Sequence, residues 1–333
     1  MKAIIPVAGA GTKLRPHTYT QPKALIPLAG KTILSIIVDQ LHEAGINEFI
    51  FIIGYMGEKI QDYVSAHYPH LKCHFVTQND RLGTGHAVAI TRELVNHEEV
   101  MIVLGDTIAE YSLDDMIQLP GSVLAIKKVD DPRNFGVAEI DEDGKIARVV
   151  EKPVIPKSNM ALVGIYKIIE TDILFSCLEE ILANKEDLAD LSLTDALECM
   201  IKKGTIFTPM KVSNWFDCGK KETLLESNAI LLKKFGGTAY DINAYQNTII
   251  IPPVSIGEGC VIKNSVIGPN VAIGEHTSVN HAIIKDSIIG AYSNLYEIVL
   301  NNSLIGSDAE VKGVSRNLNI GDNTAIDLGG SRS

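Results

Sequence analysis

A chain of 333 residues is long enough for one large domain or two ordinary ones, and 46% hydrophobic with 21% charged residues is the composition of a globular protein. Its net charge of -11 excludes a broad basic face of the kind nucleic acid requires, although local cations can still reverse the field inside one cleft.

Ala3 to Val7 is an apolar run that reads as a short buried strand. It runs into Val7-Ala8-Gly9-Ala10-Gly11-Thr12-Lys13-Leu14-Arg15-Pro16, followed by Gln21-Pro22-Lys23. Small residues let backbone approach a ligand closely, and Lys13, Arg15 and Lys23 supply positive charge. Strand, glycine loop and cations together make a place to hold phosphate. The Walker pattern fails, because Leu25 stands where the glycine upstream of Gly30-Lys31-Thr32 belongs. The dinucleotide fingerprint fails too, because Leu14 stands at its third glycine.

Thr32 can cap a helix whose apolar positions Leu34, Ile37, Val38 and Leu41 keep helical spacing and which Gly45 ends. Phe49 to Ile53 reads as a strand buried on both faces, Glu58 to His67 as a helix, and His74 to Thr77 as a strand. The loop Gln78-Asn79-Asp80-Arg81-Leu82-Gly83-Thr84-Gly85 leads into another helix, and the apolar run Val100 to Leu104 stops at Gly105-Asp106. This alternation predicts βαβ units in a parallel sheet. Ligands of such sheets sit beyond the carboxyl ends of the strands, so the glycine loop, the Gln78 loop and Asp106 should line one cleft.

After Pro120 come shorter β-like segments at 122–128, 136–140, 147–150 and 161–168, expected to form a lid of mixed strands over that cleft. Helices near 171–182 and 194–203 follow, then a strand at 206–210, the segment Trp215-Phe216-Asp217-Cys218-Gly219, and a helix to about Lys234. In Leu193-Thr194-Asp195, the Asp can cap a helix or support the site, and capping is the expected role.

The carboxyl end repeats. Stretches starting at Cys260, Ala282 and Ile298 share one pattern, a degraded fourth starts at Asn319, and the first two spacings differ by one Ile-Gly-x-x-x-x unit at Ile273-Gly274. A six-residue module inserted whole marks a hexapeptide solenoid. The expected boundaries are a domain over 1–235, a linker over 236–247 and the repeat domain over 248–333.

Cys73, Cys177, Cys199, Cys218 and Cys260 include no C-x-x-C pair, so reduced thiols are expected rather than a zinc site or a disulfide framework. No apolar run approaches the ~20 residues of a membrane helix. The first apolar run, broken by Pro6 and Gly9, reads as a strand rather than a signal peptide. The expectation is a cytoplasmic protein with no membrane or nucleic-acid partner.

The motifs G-x-G-T-[RK]-L-x-P, P-K at Pro22-Lys23, G-D at Gly105-Asp106, E-K-P at Glu151-Lys152-Pro153 and W-x-D-x-G at Trp215 to Gly219 occur in one order. That order resembles the sugar-1-phosphate nucleotidyltransferases, the nucleotide-sugar pyrophosphorylases, nearest to their glucose-1-phosphate thymidylyltransferase branch. The resemblance implies a Rossmann-like, mostly parallel α/β nucleotidyltransferase domain, and the repeats resemble a short left-handed parallel β-helix. It implies that a sugar-1-phosphate attacks the α-phosphorus of a nucleoside triphosphate and that pyrophosphate leaves. Asp106 and Asp217 would hold Mg2+; Lys13 and Lys23 would sit on the triphosphate and Lys152 on the sugar phosphate. Ala8, Gly9, Gly11, Thr12, Gln78, Gly83 and Thr84 would bind the nucleotide, with Gln78 reading the base, and Gly136, Glu151 and Val163 the sugar.

Three positions depart from the family pattern. Lys13 stands for the usual Arg, Gly85 for a common Ala, and Glu198 where compact bacterial members have a phosphate-binding Arg. Glucose-1-phosphate with dTTP is the leading pair. UTP with glucose-1-phosphate, GTP with mannose-1-phosphate, and a catalytically weakened regulatory or scaffold subunit remain open. An acyltransferase using His276 or His281 of the repeats is a minor alternative, and a homo-oligomer is expected.

Overall fold

The structure, a computed structural model, describes residues 1–184, 191–237 and 244–313, with every side chain among them except that of Asp217. The chain divides into two compact units, Met1–Thr238 and Ala239–Ser333. The expected linker falls partly on 238–243, and the fourth repeat at Asn319 entirely, outside the described residues.

The first unit begins with β1 (Lys2–Pro6), the short hairpin β2 (Pro27–Leu28) and β3 (Lys31–Thr32), α1 (Ile33–Glu43) and β4 (Glu48–Ile53). Next come α2 (Gly57–His67), β5 (Lys72–Thr77), α3 (Thr84–Ala89), α4 (Arg92–Val95), β6 (Val100–Val103), β7 (Thr107–Glu110) and α5 (Leu113–Gln118). It continues with β8 (Ser122–Lys128), β9 (Gly136–Ile140), β10 (Ile146–Glu151), β11 (Met160–Ile168) and α6 (Thr171–Asn184). The last elements are α7 (Leu193–Lys202), β12 (Phe207–Lys211), β13 (Asn214–Asp217) and α8 (Lys221–Phe235).

Nine strands form one sheet in the order β5-β4-β1-β6-β11-β8-β12-β10-β9. The first four are parallel neighbours, as the βαβ alternation predicts. Ile4, Ile5 and Phe49 to Ile52 are wholly buried, which is why these strands read as unbroken apolar runs. Each such side chain contributes roughly 1.5–3 kcal/mol relative to exposure. Thr32 caps α1 by accepting from the Ser35 amide at 3.0 Å.

The expected lid is absent as a separate layer. The segments after Pro120 instead extend the same sheet: β11 runs antiparallel to both β6 and β8, and β10 and β9 close the far edge. A register shift between Leu162 and Tyr166 interrupts β11, with Gly164 at φ 91°. Such a shift kinks the strand and re-aims its residues.

A second correction concerns the thiols. Cys177 on α6 and Cys199 on α7 form a disulfide, with Cα atoms 5.8 Å apart and a sequence separation of 22. Spacing along the chain does not show this pair, because the packing of α6 on α7 brings it together. Closing a loop of this length should stabilise by about 3 kcal/mol. Dithiothreitol is therefore expected to lower Tm by roughly 6–12 °C, as judged from typical unfolding entropies. A melt indifferent to reductant would refute the bond.

The second unit contains three four-stranded parallel sheets. The chain visits them in turn, so that Ile267 pairs with Ile284 and Ile284 with Leu300. Ile262, Ile267, Val279, Ile284, Ile289 and Leu295 are buried in its core. The stretches starting at Ala282 and Ile298 occupy the same two sheets, whereas the one starting at Cys260 lies one sheet earlier in the cycle. Paired residues lie 16 or 17 positions apart, and the longer spacing between the first two stretches shifts the repeat by one sheet. Among the described residues no helix is long and apolar enough to cross a membrane.

Candidate active site

The glycine loop leaves β1 at its carboxyl end and is tied to β4: the Val7 amide donates to the Ile52 carbonyl, and the Tyr55 amide to that of Ala8. Gly11 has φ 59°, and a Cβ there would come within 2.9 Å of the Lys23 Cβ. This approach brings Lys23 beside the loop. The Lys23 ammonium lies 2.6 Å from Asp106 Oδ2, with the lysine side chain 16% and the carboxylate 44% exposed. Gly105 permits this arrangement, since a Cβ at that position would sit 2.3 Å from Val7 Cγ1 and 2.7 Å from the Pro6 carbonyl.

On the opposite wall, Gln78 follows β5 and its amide nitrogen lies 3.0 Å from the Gly83 carbonyl and 3.1 Å from His86 Nδ1. The Gly83 turn is latched to the segment before α7. The Leu191 amide donates to Leu82, the Gly85 amide donates to Leu191, and the Leu193 amide donates to Thr84 Oγ1.

These pieces enclose a cleft of about 530 Å³ that brings together Ala8, Gly9, Gly11, Thr12, Lys13, Lys23, Gln78, Gly83, Thr84 and Asp106. All the residues expected at the nucleotide therefore share one cavity. Arg81 and Gly219 also line it; neither was expected there, although Arg81 stands inside the quoted Gln78 loop.

A second cavity of about 200 Å³ holds Gly136, Glu151 and Val163, together with Tyr166, Thr194 and Trp215. The Thr194 hydroxyl donates to Glu151 Oε2 at 2.7 Å. A Cβ on Gly136 would approach both groups, at 2.9 Å and 3.2 Å, so glycine keeps this floor open. Burial, and then the Glu151 charge, push the Tyr166 hydroxyl pKa up and keep it a proton donor. Phe135 meets Trp215 edge-on at 4.8 Å. Thr84, Leu104 and Asp106 line both cavities, so the two adjoin along these three residues.

Asp217 is placed by its backbone: β13 pairs with β7 so that Asp217 stands opposite Thr107, the residue after Asp106. Among the described residues there is no group of three or more His, Cys, Asp or Glu side chains arranged to hold a metal. Lys152 lines neither cavity; its half-exposed side chain lies 3.5 Å from Glu151 Oε1, on a backbone with φ 41°. Arg15 stacks over Tyr19 at 4.9 Å, away from the cleft lining. Glu198 accepts from the Val149 amide at 3.0 Å and faces Arg148 and Lys202, so it fastens α7 to β10. Ser192, not Asp195, caps α7. Sequence reasoning passed over Thr194, Leu191 and His86 because their roles rest on contacts between elements far apart in the chain.

A family model described as nucleotidyl transferase matches residues 2–234. The low-salt glycan biosynthesis nucleotidyltransferase Agl11 of Haloferax volcanii is 31% identical over 241 residues, which cover 70% of this chain and 66% of that protein, just under two thirds of its length. The bifunctional protein GlmU of Methanocaldococcus jannaschii is 35% identical over 312 residues, covering 94% of this chain and 72% of that protein. A solved structure assigned as a glucose-1-phosphate thymidylyltransferase from Bacillus anthracis, in complex with a sucrose, superposes with a TM-score of 0.62 at 28% identity, covering 69% of this chain and 94% of that one. The family match takes in the glycine loop, the Gly-Asp turn and both cavities, and with it the chain belongs to the sugar-1-phosphate nucleotidyltransferases.

Proposed function

We propose that this chain joins a nucleoside triphosphate to a sugar-1-phosphate and releases pyrophosphate, with dTTP and glucose-1-phosphate as its preferred pair. The observation that carries the reading is that the two cavities adjoin, with Asp106 lining both. A triphosphate in the larger cavity and a sugar phosphate in the smaller one would place their reacting ends at that carboxylate. The choice of glucose and thymine is supported by the motif order and by the thymidylyltransferase assignment of the Bacillus anthracis neighbour.

The nucleophile is a phosphate oxygen, already anionic at neutral pH, so a general base is not required. The task is to bring two polyanions together and to stabilise the leaving pyrophosphate. The glycine loop offers backbone to the phosphates, and Lys23 can move from Asp106 onto the triphosphate. Glu151, oriented by Thr194, accepts from sugar hydroxyls. A hard divalent cation fits this centre, because the Asp106 carboxylate already faces one cation and the Asp217 backbone runs beside it. Asp106 and Asp217 would hold Mg2+, which when bound neutralises charge on the phosphates.

We infer also that the second unit winds as a left-handed β-helix of hexapeptide repeats and mediates self-association; its three sheets visited in turn support the coil. The test of function is pyrophosphate release with Mg2+ across dTTP, UTP, GTP, CTP and ATP, each against several sugar-1-phosphates. One dominant pair is expected. Preference for UTP with glucose-1-phosphate or GTP with mannose-1-phosphate would correct the pair, and silence from folded protein would favour a regulatory subunit, as the position of Lys152 outside both cavities would then suggest.

A further inference from the structure

Gln78 is 7% exposed, lines the larger cavity, and offers a ligand only what its own partners leave over. Its amide nitrogen carries two hydrogens. One points to the Gly83 carbonyl at 3.0 Å and the other to His86 Nδ1 at 3.1 Å. A carbonyl only accepts, so it fixes which end of the amide is nitrogen. His86 Nδ1 must then accept as well, which places the imidazole proton on Nε2. Both amide hydrogens are spent, and Oε1 has no hydrogen-bond partner among the described residues.

We propose that His86 is a positioning residue for base selection: by taking the second amide hydrogen it leaves Gln78 facing the nucleotide as an acceptor alone. An acceptor at the base edge selects a base with a ring N–H, such as the N3–H of uracil or thymine, over cytosine, whose N3 carries no hydrogen. His86 acts through Gln78 and need not touch the nucleotide. Without an acceptor at 86, one amide hydrogen stays on the Gly83 carbonyl and the other is free, so Gln78 can offer the ligand a donor as well as an acceptor. Gln78 then bonds either kind of base edge and discrimination falls.

This inference rests on the reading that the larger cavity binds a nucleoside triphosphate. UTP and CTP are the sharpest probes, because they share sugar and triphosphate and differ only along the 3,4 edge of the base. Dissociation constants for each, with Mg2+ and the full chain, are to be measured by calorimetry for wild type, His86→Leu, His86→Lys and His86→Asn. Wild type should prefer UTP, and the Leu and Lys variants should lose about tenfold of that preference, the scale on which a lost hydrogen bond alters selectivity. His86→Asn, whose carbonyl can accept in the imidazole's place, should stay within about threefold of wild type on the same scale.

A purely structural role would weaken UTP and CTP alike, and an unchanged ratio in both the Leu and Lys variants overturns the proposal. If one of these fails to fold, the other reads the same quantity. Wild type that binds no nucleoside triphosphate, with dTTP, GTP and ATP tried as well, would overturn the nucleotide reading itself. Wild type that binds UTP tightly, with a ratio insensitive to residue 86, would overturn the positioning role alone.

Discussion

Asp106→Asn is expected to lower kcat by about 10²–10³-fold while the protein keeps its melting temperature, the range seen when one preorganised electrostatic contact is removed. Asparagine matches aspartate in shape, and the turn around it is held by backbone: the Gly105 amide donates to Pro6 and the Thr107 amide to Leu104. What changes is the charge of a residue that lines both cavities. The substitution also releases the Lys23 ammonium from its 2.6 Å partner and frees it for phosphate. KM for the triphosphate should therefore hold or fall while kcat collapses, the split expected of a group that acts in the transition state rather than in binding. Lys23→Gln should do the opposite and raise that KM. Steady-state kinetics on both variants would read the contrast, and full turnover by Asp106→Asn would remove this carboxylate from the reacting centre.

Asp106 was legible in the sequence because it ends an unbroken apolar run, and a polar residue at the carboxyl end of a buried parallel strand sits where such sheets bind ligands. Gln78, and the loop from Ala8 to Thr12, were legible for the same reason. The far half of the sheet was less so. Residues 136–151 alternate burial and exposure in short runs, a pattern compatible with a lid as well as with edge strands. Only the pairing of β11 with β6 decides between them, and pairing partners are not written in local periodicity.

The same limit hid the disulfide, since Cys177 and Cys199 carry no spacing signal and meet through the packing of α6 on α7. It hid Thr194 as well, whose hydroxyl matters only because the first turn of α7 reaches Glu151, which ends β10. Lys152 shows the converse. Its motif was legible, yet its side chain pairs with Glu151 outside both cavities. A motif fixes residue type and chain position; where the side chain goes depends on its neighbours in space.

Gly83→Ala should be strongly destabilising through both strain and collision. Gly83 has φ 95° and ψ -179°, a region essentially closed to residues with a Cβ. Backbone strain is only part of the cost. A Cβ there would sit 2.4 Å from the Leu191 carbonyl oxygen and 2.7 Å from its amide nitrogen. No rotamer change can relieve contact with backbone, and this backbone is pinned by the Leu191–Leu82 and Gly85–Leu191 hydrogen bonds. The latch must open or the turn must shift, at a cost of about 2–4 kcal/mol. Tm should fall by roughly 5–15 °C on typical unfolding entropies.

Gly121→Ala separates the two causes. Gly121 has φ 76° but no atom within 4 Å of an added Cβ, so it pays strain without collision, about 1 kcal/mol. Function should follow the collision. The Gly83 carbonyl holds Gln78, and the segment from Leu191 carries Thr194 toward Glu151. Gly83→Ala should therefore raise KM for both substrates, by about tenfold or more if the Gln78 and Thr194 hydrogen bonds are lost, while Gly121→Ala raises neither. Equal melting temperatures for the two variants would show that the contact with Leu191 yields freely, and that the turn holding Gln78 is not braced by the segment before α7.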